Sequence, residues 1–327
     1  MPRQLYGFQE PNISYDKYFM QIDMRDPFVG NTYISAIQFI SSLTNKTIGT
    51  LINWNNHPDT LGGNNTLISS DFPHYVRQYV EKYLGGVAIY FSGTLGSQIS
   101  ALQDTQAPYW NENFEKEFDT SNKPKFVSGK NFDHIRSIGY EVGSLVVEGL
   151  KKENELQSNV SIGITSKNID IQITNILHYI LWPVWFSDIS PSDRMRFYFP
   201  KCLLPYGCVP TEVSKIEMGN LTILTAPGEI DPAYFLGRES LSVRYPKFGS
   251  HKYPAMKGLR DFVHTQHSFM LGEANNYLSY LIHSPDFLGQ FNLKHPNHYE
   301  DMVTVGKNFG DDSANALLVL LGSDYRY

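Results

Sequence analysis

Three apolar runs of the sequence end in side chains that can do chemistry. His57 follows TLINWNN, Ser97 and Ser100 follow AIYFSGTLG, and Glu229 follows LTILTAPG. A neutral imidazole and a carboxylate are both good zinc donors, and a catalytic zinc takes about three protein ligands and keeps a position open for water. Pro58 excludes the helical region for His57, so the ring can project from a strand end. Taken alone, His57 is better explained as a satisfied loop histidine. Asp59 reads either as a partner for an imidazole or as an Asx turn opening the polar loop that follows. HTQH sets His264 and His267 three apart with no acid beside them, which reads as an exposed face. GTLGSQIS is glycine-rich after a strand, yet it lacks the lysine of a phosphate-binding loop and the form of a nucleophile elbow.

These residues need a scaffold that brings strand ends together. KTIGTLINW (46–54) and GVAIYFSG (86–93) read as buried strands. Between them FPHYVRQYVEKYL carries Phe72, Val76, Tyr79, Val80 and Tyr83 at helical spacing, with Asp71 as N-cap and Gly85-Gly86 as the stop. Strand, helix and strand in that order predict a βαβ unit. Residues 103–131 show no periodicity and read as a long loop or lid. A helix is expected over 132–152, a strand over 160–176, a hairpin over 213–229 turning at Met218-Gly219-Asn220, and tail helices at about 272–283 and 312–321. The expected fold is α/β: mixed, partly parallel β-sheet layers flanked by helices, in a single domain spanning 1–327. In open α/β sheets ligands bind outside the carboxyl ends of the strands, where these three polar ends lie.

Composition narrows the partners. A hydrophobic content of 41% is enough for a substantial core. The net charge of −6, with no clustered lysine and arginine face, argues against a nucleic-acid partner. Apolar runs such as ILWPVWF (180–186) are far shorter than the ~18 residues that cross a bilayer, and MPRQLYGFQE has no apolar signal core. Cys202 and Cys208 fit either a small disulfide loop in an exported protein or two buried thiols.

As a set, NWNNHPDTLGGNNTLISSDFPHYV, AIYFSGTLGSQIS, TEVSKIEMGNLTILTAPGEIDP, LGEANNYLSYLI and HYEDMVTVG resemble, in order and character, the neutral/alkaline (non-lysosomal) ceramidase family. The resemblance runs from about Asp23 to the end of the sequence. It implies a zinc-dependent hydrolase of linear amide C–N bonds, acting on a lipid such as ceramide or on another N-acyl amide. It implies His57, Glu229 and Tyr280 as zinc ligands and Ser100 as a contact to the substrate amide. It also implies Tyr299 as the oxyanion donor and Arg25 of DMRDP in the substrate pocket. No histidine stands near Ser100 in sequence to serve as its base, which favours an orienting role. Peripheral membrane contact and a secreted, periplasmic or membrane-associated setting go with the resemblance, which is silent on oligomeric state.

The sequence also departs from the family. The family's first zinc histidine lies in an N-terminal His-x-His-Ser-Gly-Pro type motif, and no such motif occurs here. The expectation is therefore a catalytic domain truncated at its N-terminus and without the C-terminal immunoglobulin-like domain of larger members. Such a chain is expected to bind zinc weakly and to turn over slowly or not at all. The alternative reading is a catalytically silent relative that binds a lipid or other ligand.

Overall fold

The structure is a computed structural model describing residues 29–63, 65–98, 105–152, 156–175, 207–245, 249–287 and 299–327, without the side chains of residues 241–251 and of Tyr299. It is a mixed α/β protein with partly parallel sheets, as the sequence predicts. The described residues divide into two compact units. One comprises Thr32–Gly93 and Gln98–Ser158; the other comprises 29–31, Thr94–Ser97 and Asn159–Tyr327.

In the first unit, β1 (Ile34–Ile40) pairs antiparallel with β2 (Thr47–Trp54). Helix α1 (Phe72–Leu84) leads on to β3 (Val87–Ser92), which pairs parallel with β2. This is the expected βαβ unit. Asp71 caps α1, its Oδ1 accepting from Phe72 N at 2.8 Å and its Oδ2 from Leu61 N at 2.9 Å. One carboxylate thus satisfies a helix-end donor and ties down the polar loop after His57. Val76, Tyr79 and Val80 are buried, whereas Tyr83, expected on the same stripe, is exposed at the helix end.

Residues 105–131 are more structured than the expected loop. The short strands β4 (Ala107–Pro108) and β5 (Phe126–Val127) pair antiparallel, and isolated bridges join Trp110 to Lys116 and Phe118 to Pro124. Period-based reading misses such pieces because two-residue strands have no period. Trp110 anchors the segment, its indole donating to Glu141 Oε2 at 2.8 Å.

Helix α2 (Phe132–Lys152) matches its expected span, burying Ile135, Ile138, Val142 and Val146. It packs on α1 through Gly139 and Gly143, one turn apart. A Cβ built on Gly139 would lie 2.4 Å from Tyr75 Cβ and 2.7 Å from the Phe72 carbonyl oxygen, and one on Gly143 would lie 2.7 Å from Tyr79 Cβ.

The second unit is built on a four-stranded sheet. It contains β6 (Ile162–Gln172), β7 (Cys208–Met218) and β8 (Leu221–Thr225), joined antiparallel, with β12 (His267–Leu271) parallel to β8. The β7–β8 hairpin turns at Gly219-Asn220, as expected. Cys208 is disulfide-bonded rather than a free thiol; Cys202, the other cysteine in the sequence, lies outside the described residues.

Between these strands the chain forms β9 (Glu229–Ile230), helix α3 (Pro232–Leu236), and the hairpin of β10 (Leu241–Tyr245) and β11 (Gly249–Tyr253). After β12 come β13 (Tyr280–Leu281), α4 (Tyr299–Val303) and α5 (Phe309–Leu320). Ile171, Val213, Leu224, Ile230, Leu281, Phe309 and Leu317 form a shared core. The tail helix expected at 312–321 is α5. The helix expected at 272–283 does not form. Glu273, Asn275 and Ser279 adopt positive φ of 54°, 73° and 74°, and Tyr280-Leu281 pairs as a strand. Adjacent asparagines in a polar run favour turns, and strand pairing overrides the apparent helical spacing.

No helix among the described residues is long and apolar enough to cross a membrane.

A methyl group at Gly139 gains up to about 1 kcal/mol in helix propensity. The contacts it would meet are a helix backbone and the root of a side chain, neither able to yield cheaply. Gly139→Ala is therefore expected to destabilise the protein by about 1–3 kcal/mol, as overpacked cores do. Denaturant unfolding checks this, and a stabilised variant would contradict the close helix approach.

Candidate functional site

In the second unit, Glu229 and Tyr280 are direct partners in a parallel strand pair: Tyr280 aligns with Glu229 and Leu281 with Ile230. Side chains alternate along a strand, so Ile230 and Leu281 share one face and Glu229 and Tyr280 the other. The first pair is almost fully buried in the core. A carboxylate and a phenol are thereby held side by side on a pair of strands fixed from behind.

The approach of the two strands depends on Gly228. A Cβ at this position would lie 2.1 Å from the Ser279 carbonyl oxygen, the group that accepts from Glu229 N at 3.0 Å. The loop before Tyr280 is tied down at several points. Leu278 N donates to the Pro227 carbonyl at 2.9 Å, Ala274 N to the Ala226 carbonyl at 2.9 Å and Asn276 Nδ2 to Thr211 Oγ1 at 2.9 Å. Asn275 Nδ2 reaches the Glu212 carbonyl, Ser214 Oγ and Thr225 Oγ1 at 3.3–3.4 Å. Within this loop the Tyr277 hydroxyl donates to Glu229 Oε1 at 2.7 Å.

Beyond Tyr280 the strand is held from a third side. Thr304 Oγ1 donates to the Tyr280 carbonyl at 2.7 Å, and Asn175 Nδ2 donates to the carbonyls of Met302 and Thr304 at 2.8 and 2.7 Å. These bonds place the end of α4, the helix that starts at Tyr299, beside Tyr280. Past β13, Arg238 grips Asp286 with both terminal nitrogens, at 2.5 and 2.6 Å, in a buried pair. Burial pushes the Asp286 carboxyl up, but the His283 imidazole 3.9 Å away and the Arg238 guanidinium outweigh it and hold the carboxyl below its ordinary value.

The glycine-rich strand end also belongs to this unit. Gly96 N donates to the Ile230 carbonyl at 3.0 Å, and Ser97 Oγ to Asp231 Oδ2 at 3.1 Å, so Thr94–Ser97 lies along β9. Ser100 and Arg25 lie outside the described residues, and the side chain of Tyr299 is not described.

His57 belongs to the first unit, just past β2. Its half-buried ring presents Nδ1 2.7 Å from the Gln98 carbonyl oxygen. A carbonyl only accepts, so Nδ1 carries the proton and the lone pair of the neutral ring is on Nε2. Metal-binding histidines are commonly held by such a bond from the second nitrogen. Asn55 Nδ2 donates to the Tyr33 carbonyl at 3.0 Å and Asn53 Nδ2 to the Phe91 carbonyl at 3.3 Å, so two buried amides fix the chain leading to His57. The loop beyond it borders a polar depression of about 270 Å³ lined by Pro58, Asp59, Gly62, Ser69 and Asp71 among others.

These donors suit zinc in kind: one imidazole with its tautomer set, one carboxylate and one phenol. Within the second unit they number two, Glu229 and Tyr280. Among the described residues no three His, Cys, Asp or Glu side chains gather as a metal group. Tyr277, Thr304 and Asn175 escape sequence reasoning. The one available signal was the Asn-Asn pair, which marks LGEANNYL as a turn presenting a tyrosine rather than as a helix.

No protein-family model and no curated protein matches this sequence. Two solved structures are similar in chain path. One is a neutral ceramidase from Pseudomonas aeruginosa, at 15% identity and a TM-score of 0.49, covering 88% of this chain and 45% of that one. The other is a ceramidase complexed with C2, at 16% identity and a TM-score of 0.49, covering 90% of this chain and 50% of that one. This chain thus spans about half the length of those proteins.

Gly228→Ala is expected to force Ser279 and Glu229 apart and to cost about 1–3 kcal/mol of stability. Loss of amide-exchange protection at Glu229 in the variant checks the local effect; unchanged protection there would contradict the strand contact.

Proposed function

We propose that this chain is the catalytic portion of a zinc-dependent amide hydrolase of the neutral ceramidase type, cleaving an N-acyl amide of a sphingolipid such as ceramide to a fatty acid and sphingosine. The observation that carries the reading is the alignment of Glu229 with Tyr280, which sets a carboxylate and a phenol side by side on a fixed strand pair. The bond from His57 Nδ1 to the Gln98 carbonyl supports it, because it leaves the imidazole's donor lone pair on Nε2.

On this reading His57, Glu229 and Tyr280 hold the zinc. Bound zinc lowers the pKa of its water toward ~7 and polarises the amide carbonyl. The chain's own residues supply the rest. Glu229 brings the negative charge that offsets the cation. The Tyr299 hydroxyl donates to the oxygen on which charge develops in the transition state. Ser100 orients the amide, and Arg25 contributes to the substrate pocket. The product amine leaves with a proton taken from water, and the acyl group leaves as a carboxylate, so the reaction needs only water as co-reactant.

A second reading is a ceramidase-like protein that binds a lipid or another ligand without turnover. It is favoured by the lack, among the described residues, of three gathered His, Cys, Asp or Glu side chains.

Zinc titration and hydrolysis of a short-chain fluorogenic ceramide separate the two. The hydrolase reading expects one zinc per chain and turnover that falls at least 100-fold in His57→Ala and Glu229→Gln, since removal of a metal ligand goes beyond the roughly 10–100-fold cost of losing its supporting partner. Ligand binding without zinc uptake or turnover would establish the second reading instead.

A further inference from the structure

Tyr277 lies within LGEANNYLSYLI but is not among the residues to which the sequence assigns a role, yet it touches the site. Its hydroxyl donates to Glu229 Oε1 at 2.7 Å, the usual length of a well-formed O–H···O bond. Glu229 is 5% exposed, whereas Tyr277 is 58% exposed. Its ring lies mostly outside the core, while its hydroxyl reaches inward from the surface to a buried carboxylate.

The backbone around it is built to hold that reach. Asn275 and Asn276, immediately before Tyr277, are both hydrogen-bonded to the sheet, and Leu278, immediately after, is bonded to Pro227. Positive φ at Glu273, Asn275 and Ser279 puts three non-glycine residues of one short loop in a conformation that L side chains rarely adopt. Such conformations persist only where the surroundings impose them, and they gather at functional sites. Here they turn the chain so that Tyr277 and Tyr280 approach Glu229 from the loop and from the strand.

We propose that Tyr277 is a positioning residue, whose phenol sets the direction in which the Glu229 carboxylate is presented to a bound metal ion. The metal part of this proposal rests on the reading of Glu229 as a zinc donor; the orientation part rests on the hydrogen bond alone. Partners of this kind fix the orientation of a ligating carboxylate, and their loss typically weakens metal binding by roughly 10–100-fold.

The test compares wild type with Tyr277→Phe in three measurements. The metal-free proteins are both expected to melt cooperatively, the variant somewhat lower because a buried carboxylate loses a donor. In crystals of the metal-free variant the Glu229 carboxylate is expected to rotate away from its wild-type direction or to occupy more than one. Zinc affinity, read by competition with a chromophoric chelator, is expected to fall roughly 10–100-fold. The loss should vanish when Tyr277→Phe is made in a Glu229→Ala background, as a double-mutant cycle requires of residues acting through one another. An unmoved carboxylate, an unchanged zinc Kd, or a loss of equal size in the Glu229→Ala background would overturn the proposal. Wild-type protein that takes up no zinc removes the metal reading of Glu229, while the carboxylate's direction in the metal-free variant still decides the role of Tyr277.

Discussion

The parallel contact between Glu229-Ile230 and Tyr280-Leu281 is the constraint on which the second unit's polar site depends. Two residues per strand cannot stand alone in water; short strand pairs need a hydrophobic face packed against something else. The support here comes from Ile230 and Leu281, both within the core formed with the sheet and α5. Strand alternation then dictates that their neighbours, Glu229 and Tyr280, emerge together on the opposite face. A one-residue slip in register would exchange a core leucine for a tyrosine, so the core itself enforces the pairing of the two polar groups.

Around that contact the chain spends polar interactions rather than apolar area. Gly228 admits the Ser279 carbonyl, Thr304 holds the Tyr280 carbonyl, and Asn175 holds the turn that carries Thr304. The buried Arg238–Asp286 pair anchors the chain just past β13. Breaking such a pair from one side leaves an uncompensated charge, so it works as a fixed point more than as a source of net stability. The first unit uses the same economy at His57, where buried Asn53 and Asn55 bond backbone carbonyls and the imidazole itself bonds Gln98.

Much of the scaffold was legible in the sequence because it is periodic and capped. Asp71, the apolar stripe from Phe72 and the Gly85 stop define α1, and the stripe from Ile135 defines α2 within its observed limits. The β7–β8 hairpin follows from its turn residues. What failed was short or irregular. The segment 272–283 carries leucines and tyrosines at spacings compatible with a helix, yet two asparagines, a positive φ at Ser279 and the pairing with β9 make it a loop and a strand. The same error hid Tyr277, since a helix would have pointed it elsewhere. His57 and Glu229 stood out in the sequence as polar ends of apolar runs and Tyr280 only through the resemblance; neither route disclosed the alignment of Glu229 with Tyr280.

The central claim is that Glu229 and Tyr280 act together as donors to one metal ion. Loading the protein with copper(II) in place of zinc tests it most directly, because a phenolate bound to copper(II) gives a visible charge-transfer band that a carboxylate or imidazole does not. The account predicts this band in the wild type, its loss in Tyr280→Phe and its survival in Tyr277→Phe. A wild-type spectrum without the band, or a band that persists in Tyr280→Phe, would contradict it.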